Sequence, residues 1–138
     1  MEGRTPSDPS ADRHGRRDYW GVVLDARDAH ELARFYSDLL GWPIAKDQPG
    51  DVALLPPDGV AYLAFQTNHR YVRPVWPDDG DSQQMMVHLD VEVDDLDVAV
   101  ASALELGAQL AASQPQADVR VMLDPDGHPF CLYRSSED

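Results

Sequence analysis

The stretch YWGVVLDARDAHELARFYSDLLGW, Tyr19–Trp42, holds two periodicities in succession. Tyr19 to Ala26 is rich in apolar and β-branched side chains and predicts a strand that ends near Ala26. Beyond it, Leu32, Phe35, Tyr36, Leu39 and Leu40 fall at i, i+3, i+4, i+7 and i+8, one apolar stripe along a helix. Asp28 is the expected N-cap, and Glu31 stands three residues later as in a capping box. Gly41 supplies the stop, and Pro43 prevents the helix from resuming.

The same order returns further along. MMVHLDVEV alternates apolar and polar with period two, and DDLDVAVASALELGAQL carries a helical stripe of Leu96, Val100, Ala103, Leu106 and Leu110. Asp94 or Asp95 is its expected cap, and Gly107 falls near its end. Adding 67 to a residue number carries Gly21 onto His88, Leu24 onto Val91 and Asp28 onto Asp95. Short strands follow each helix. PIAKDQ, DVALLPP and VAYLAFQT come after the first, separated by Pro-Gly-Asp and Pro-Asp-Gly turns. VRVMLDP and HPFCLY come after the second, around the Pro-Asp-Gly of 125–127, which matches that of 57–59 at a shift of 68.

The pattern predicts an α+β chain of two βαβββ modules. The competing βαββαβ sandwich uses fewer strands and leaves residues 42–67 poorly explained. The predicted organisation is a disordered N-terminal arm over 1–17 and one domain over 18–138. Within it lie module one at 18–68, a polar loop at 69–84 and module two at 85–135. The arm is rich in Pro, Ser, Gly, Asp and Arg, with too little apolar surface to offset the entropy of ordering.

Composition narrows the partners. The 138 residues carry 25 Asp and Glu against 11 Lys and Arg, a net charge of −14, and Lys46 is the single lysine. Such a surface repels phosphate backbones and acidic membranes, so neither nucleic acid nor membrane is an expected partner. No apolar run approaches the roughly 20 residues of a membrane span. The first residues have no apolar core of the secretory kind. One cysteine, Cys131, forms no internal disulfide, and the expected compartment is the cytoplasm.

Three stretches together resemble the vicinal oxygen chelate superfamily, which includes glyoxalase I, ring-cleaving dioxygenases and bleomycin-resistance proteins: DARDAHELARFYSDLLGW, HLDVEVDDLDVAVASALELGAQL and RVMLDPDGHPFCLY. Within it the chain is similar to the glyoxalase-like single-chain proteins. The resemblance implies curled mixed sheets around a cleft, and modules that commonly pair, hence a homodimer. It implies that metal-dependent members draw ligands from the first and last strand of each module. The matching positions here are Gly21, then Gln66 or, by the internal repeat, Leu63, then His88, and Cys131 where a glutamate would be expected. Glycine offers no ligand, and His88 with Cys131 is too few for a catalytic centre of three protein ligands and a water. The expectation is therefore no cofactor, with a divalent metal as the lesser reading.

Strand alternation sorts the remaining candidates. His88, Asp90 and Glu92 share one face, and Val87, Leu89, Val91 and Val93 the other, beneath the helices. Cys131 and Tyr133 are expected to join the polar set, with Arg120 and Met122 from the preceding strand. In module one the set is Gly21, Val23, Asp25, Tyr62, Ala64 and Gln66. Trp76 sits in a Pro-rich loop where core burial is not automatic. His128, just after the turn glycine, is expected to order that turn.

Two functions follow, ahead of a third in which the chain is a non-catalytic dimeric domain whose role is interaction. The first is binding of a small organic molecule in a metal-free cleft, with Gln66, Trp76, His88, Asp90, Arg120, Cys131 and Tyr133 as lining candidates. The alternative is a lyase, isomerase or other enzyme of the superfamily that uses His88, Glu92 or Cys131, or a residual metal, for its chemistry.

Overall fold

A computed structural model describes residues 1–135. It divides into two compact units, Met1–His69 and Arg70–Asp138. Each holds one four-stranded sheet with one helix.

The first unit contains β1 (Trp20–Ala26), α1 (Ala29–Leu40), β2 (Ile44–Gln48), β3 (Asp51–Leu54) and β4 (Ala61–Thr67). The second contains β5 (Leu89–Glu92), α2 (Leu96–Leu106), β6 (Gln109–Leu110), β7 (Val119–Leu123) and β8 (Pro129–Tyr133). The sheet orders are β1-β4-β3-β2 and β5-β8-β7-β6, the same topology twice. The first and last strands of each module run parallel, and the remaining pairs are antiparallel. A parallel pair needs a long crossover, which the helix and the intervening strands provide.

In the parallel pairs of first and last strands the repeat holds residue for residue. Val23 lies opposite Ala64, and Asp90 lies opposite Cys131, so one offset of 67 relates both members of the two pairs. Ala64, neither Gln66 nor Leu63, is thus the module-one counterpart of Cys131. Leu63 points the other way and is buried.

Both helices start and stop as their sequences dictate. Asp28 accepts hydrogen bonds from the backbone N–H of His30 and Glu31, and Asp95 from that of Val98. Gly41 and Gly107 end the helices in left-handed backbone, at φ of 71° and 113°.

The cores differ. Under α1, Leu32, Ala33, Phe35 and Tyr36 are buried against Val52, Leu54, Leu63 and Phe65. The Tyr36 ring stacks on Phe65 at 5.6 Å and meets Phe35 edge-on at 4.9 Å. In α2 only Ala103 is fully buried, while Leu96, Val100 and Leu106 are half-buried. Leu110, predicted on the helical stripe, lies beyond Gly107 in the two-residue strand β6 and is exposed. β5 is also shorter than the alternation predicts. It starts after His88, and Val87 is exposed instead of lying beneath a helix, as is Met86 before it.

The N-terminal residues carry one 3-10 turn at Arg13–Gly15. Arg13 donates to the carbonyl oxygens of Asp58, Gly59 and Ala61 in the β3–β4 connection. Arg16 grips Asp18 in an ion pair that holds the Asp18 carboxyl down at about 2. Among the described residues, no helix is long and apolar enough to cross a membrane.

Candidate functional site

Each sheet has a helix-covered face and an open one. In module one the open face carries Gly21, Val23 and Asp25 on β1, with Tyr62, Ala64 and Gln66 on β4. The Gln66 amide donates to Asp25 Oδ1 at 2.7 Å, and the Asn68 amide to Asp25 Oδ2 at 2.9 Å. Gln66 is committed to orienting a carboxylate on its own face. Gly21 lies opposite Tyr62, and the tyrosine ring covers the glycine backbone.

In module two the open face is richer in titratable groups. His88 Nε2 stands 3.1 Å from Asp90 Oδ1, and both side chains are about half exposed. Asp90 pairs with Cys131 across the β5–β8 ladder. One donor atom each from His88, Asp90 and Cys131 lies within 4.8 Å of the others, the group among the described residues that could hold a metal ion. Glu92 lies opposite Tyr133 one step further on, and Ser135 donates its hydroxyl to the Glu92 carboxylate. Burial pushes the Cys131 thiol up from its ordinary range, and the charge of Asp90 and a hydrogen bond to it push the same way. The thiol is thus a proton donor to Asp90, the opposite of an activated thiolate.

The structure therefore brings together His88, Asp90, Glu92, Cys131 and Tyr133. It does not add Arg120 or Met122. Arg120 pairs with Leu132, and Met122 with Phe130, so both belong to the helix-side face. Their neighbours on β7, Val119 and Val121, take the places opposite Tyr133 and Cys131. A shift of one residue in register reverses every side chain of a strand. Arg120 is carried at the sheet end, where its guanidinium donates to the carbonyls of Ala117 and Val119. Trp76 is half-buried in the loop before β5, outside both strand sets.

A second polar cluster in module two was only partly visible in the sequence. Asp124 is 1% exposed and accepts hydrogen bonds from the backbone N–H of Asp126 and His128. The His128 ring closes on the same carboxylate, Nδ1 to Oδ2, at 2.8 Å. Tyr71, from the preceding loop, donates to the Asp126 carbonyl at 2.7 Å and lies 3.3 Å from His128 Nε2. This network fixes the turn that aims β8.

With the geometry in place, relatives can be compared. A profile of the glyoxalase-like domain matches residues 21–133. The chain belongs to the glyoxalase-like domain family. It carries the fold of the vicinal oxygen chelate superfamily. Among solved structures, it is similar to a glyoxalase/bleomycin resistance protein/dioxygenase family enzyme from Burkholderia phytofirmans PsJN. That match has 20% identity and a TM-score of 0.64, and covers 83% of this chain and 95% of that one. It is similar to TnmS3, an antibiotic binding protein from Streptomyces sp. CB03234, at 19% identity and TM-score 0.57, over 88% and 98% of the two chains. It is also similar to the fosfomycin resistance protein FosX from Mesorhizobium loti, at 15% identity and TM-score 0.60, over 83% and 88%. A search among curated proteins returned no match.

The family implies a metal centre, and the donors present do not fit the one it implies. Module one offers a hydrogen at Gly21 and a methyl at Ala64 where module two has His88 and Cys131. Gln66 is turned to Asp25. In module two, the cysteine Cys131 stands where the expected carboxylate would be. The group that could hold an ion among the described residues, His88, Asp90 and Cys131, lies wholly in module two and is not the set drawn from both modules that the family implies.

Proposed function

We propose that this protein binds a small organic molecule on its open sheet faces without the aid of a metal, in the cytoplasm and as a homodimer. The observation that carries the reading is the pairing of Val23 with Ala64 and of Asp90 with Cys131 at one offset. It identifies the equivalent places in the two modules, and those of module one have no donor. What remains is aromatic, hydrogen-bonding and acidic: Tyr62, Asp25 and Gln66 in one module, His88, Asp90, Glu92, Cys131 and Tyr133 in the other. Apolar walls with a few fixed polar groups suit an organic ligand. The antibiotic-binding and fosfomycin-resistance proteins of the same fold support the ligand class. The test is a thermal-shift screen of small organic molecules with and without a chelator. A ligand that raises Tm equally in both, and less in His88→Ala, supports the reading. A shift that vanishes with the chelator contradicts it.

One observation favours an enzyme as the second reading. Asp90 Oδ1 stands 3.1 Å from His88 Nε2, which places a carboxylate beside an imidazole, the two groups from which acid–base chemistry is built. Turnover of a small polar substrate that is lost in His88→Ala would establish it, and turnover unchanged in that variant would remove His88 from the chemistry.

A further inference from the structure

Gly21 lies on β1, an edge strand, with Tyr62 directly across on β4. A Cβ at position 21 would come 2.2 Å from Tyr62 Cε2 and 2.4 Å from both Cδ2 and Cζ. Non-bonded carbon atoms settle at about 3.5–4.0 Å. The ring therefore occupies the volume that any side chain at 21 must cross. The contact involves three ring atoms, so it describes a ring laid over the backbone, not a grazing tip. The next residue of β4 on this face is Ala64, a small buried side chain. In module two, the offset places Pro129 where Tyr62 stands, and a proline ring does not reach across to the neighbouring strand. His88 keeps its side chain there.

We propose that Tyr62 and Gly21 act as one unit, in which the aromatic ring has taken over the place of a metal-ligating side chain. Tyr62 is then a specificity-determining residue. Held against the backbone, it gives the open face of module one a fixed aromatic wall, and it blocks metal from returning through a single substitution at 21. The second half of this statement rests on the assignment of Gly21 as a ligand place in the metal-free reading above, whereas the packing of ring on glycine stands without it.

The experiment is a double-mutant cycle on the full chain, read by Tm and by nickel calorimetry. Gly21→Ala in the wild-type background must displace the ring and lowers Tm by roughly 4 °C. In the Tyr62→Ala background the same change leaves Tm level or raises it, because a strand gains from replacing glycine. Gly21→His takes up no more nickel than wild type, while Gly21→His with Tyr62→Ala takes up more. An upfield-shifted Gly21 Hα resonance that returns to its ordinary position in Tyr62→Ala reports the ring directly. Additive Tm effects, or an unshifted Hα, overturn the packing. Equal nickel uptake by the Gly21→His variants with and without Tyr62 overturns the blocking role. Wild-type protein run alongside reports separately on the metal-free reading, since its nickel uptake involves no change at Gly21 or Tyr62.

Discussion

Module one and module two share a topology, a register and a pair of capped helices, yet they have divided the work. Module one holds the large aromatic core under α1, with Phe35, Tyr36 and Phe65, and its open face has Gly21 and Ala64 at the central places. Module two has a thinner core, with Ala103, Ala108 and Ala111 among its buried residues, and its open face has His88 and Cys131 at those same places. The backbone repeat constrains where side chains point, not what they are. One half supplies packing and an aromatic wall, and the other supplies titratable groups and a buried polar turn.

The largest break in that comparison is expected in the core of module one. Tyr36→Ala removes a fully buried ring stacked on Phe65 and should cost about 3–5 kcal/mol in denaturant unfolding. Leu106→Ala on half-buried α2 should cost only about 1 kcal/mol. Equal losses would erase the contrast between the cores. Next comes the polar turn of module two. Asp124→Ala leaves two backbone N–H groups and the His128 ring without their acceptor, for about 2–3 kcal/mol. Loss below that for a helix cap would mean the turn holds without the carboxylate. The caps themselves are the smaller case, with Asp28→Ala costing about 1 kcal/mol.

The smallest effect on stability, and the sharpest on chemistry, concerns Cys131. Burial and the Asp90 carboxylate both favour its protonated form. The folded state therefore holds this proton more tightly than the unfolded chain. Stability should fall as pH rises beyond the ordinary thiol value of 9.0, where only the unfolded thiol ionises freely. Iodoacetamide labelling at pH 8 should be slower than for an ordinary free thiol and faster in Asp90→Asn. Fast labelling in the wild type would mark Cys131 as a reactive thiol instead.

Much of this was legible in the sequence because it follows from local chemistry. The stripe of Leu32, Phe35 and Tyr36, the caps Asp28 and Asp95, and the stops Gly41 and Gly107 each announce themselves within a few residues. The 67-residue offset placed His88 opposite the question of Gly21. Strand register was harder. AYLAFQT is apolar at five consecutive positions, so no alternation marks Ala64 as the partner place of Cys131. Arg120 and Met122 read as open-face residues from a register of β7 against β8 that is one residue off, and the long side chain of Arg120 lets a helix-side position reach carbonyls at the sheet end. Tyr71 could not be found at all, since its partners lie more than fifty residues on. The ring of Tyr62 over Gly21 likewise needs the parallel register of β1 and β4, which no local signal encodes.

The most direct test of the account is elemental analysis of the purified protein after incubation with zinc, nickel, manganese and iron salts and removal of the excess. The account predicts far less than one equivalent of any metal. Near-stoichiometric metal that disappears in His88→Ala would contradict it and make His88, Asp90 and Cys131 a working metal centre.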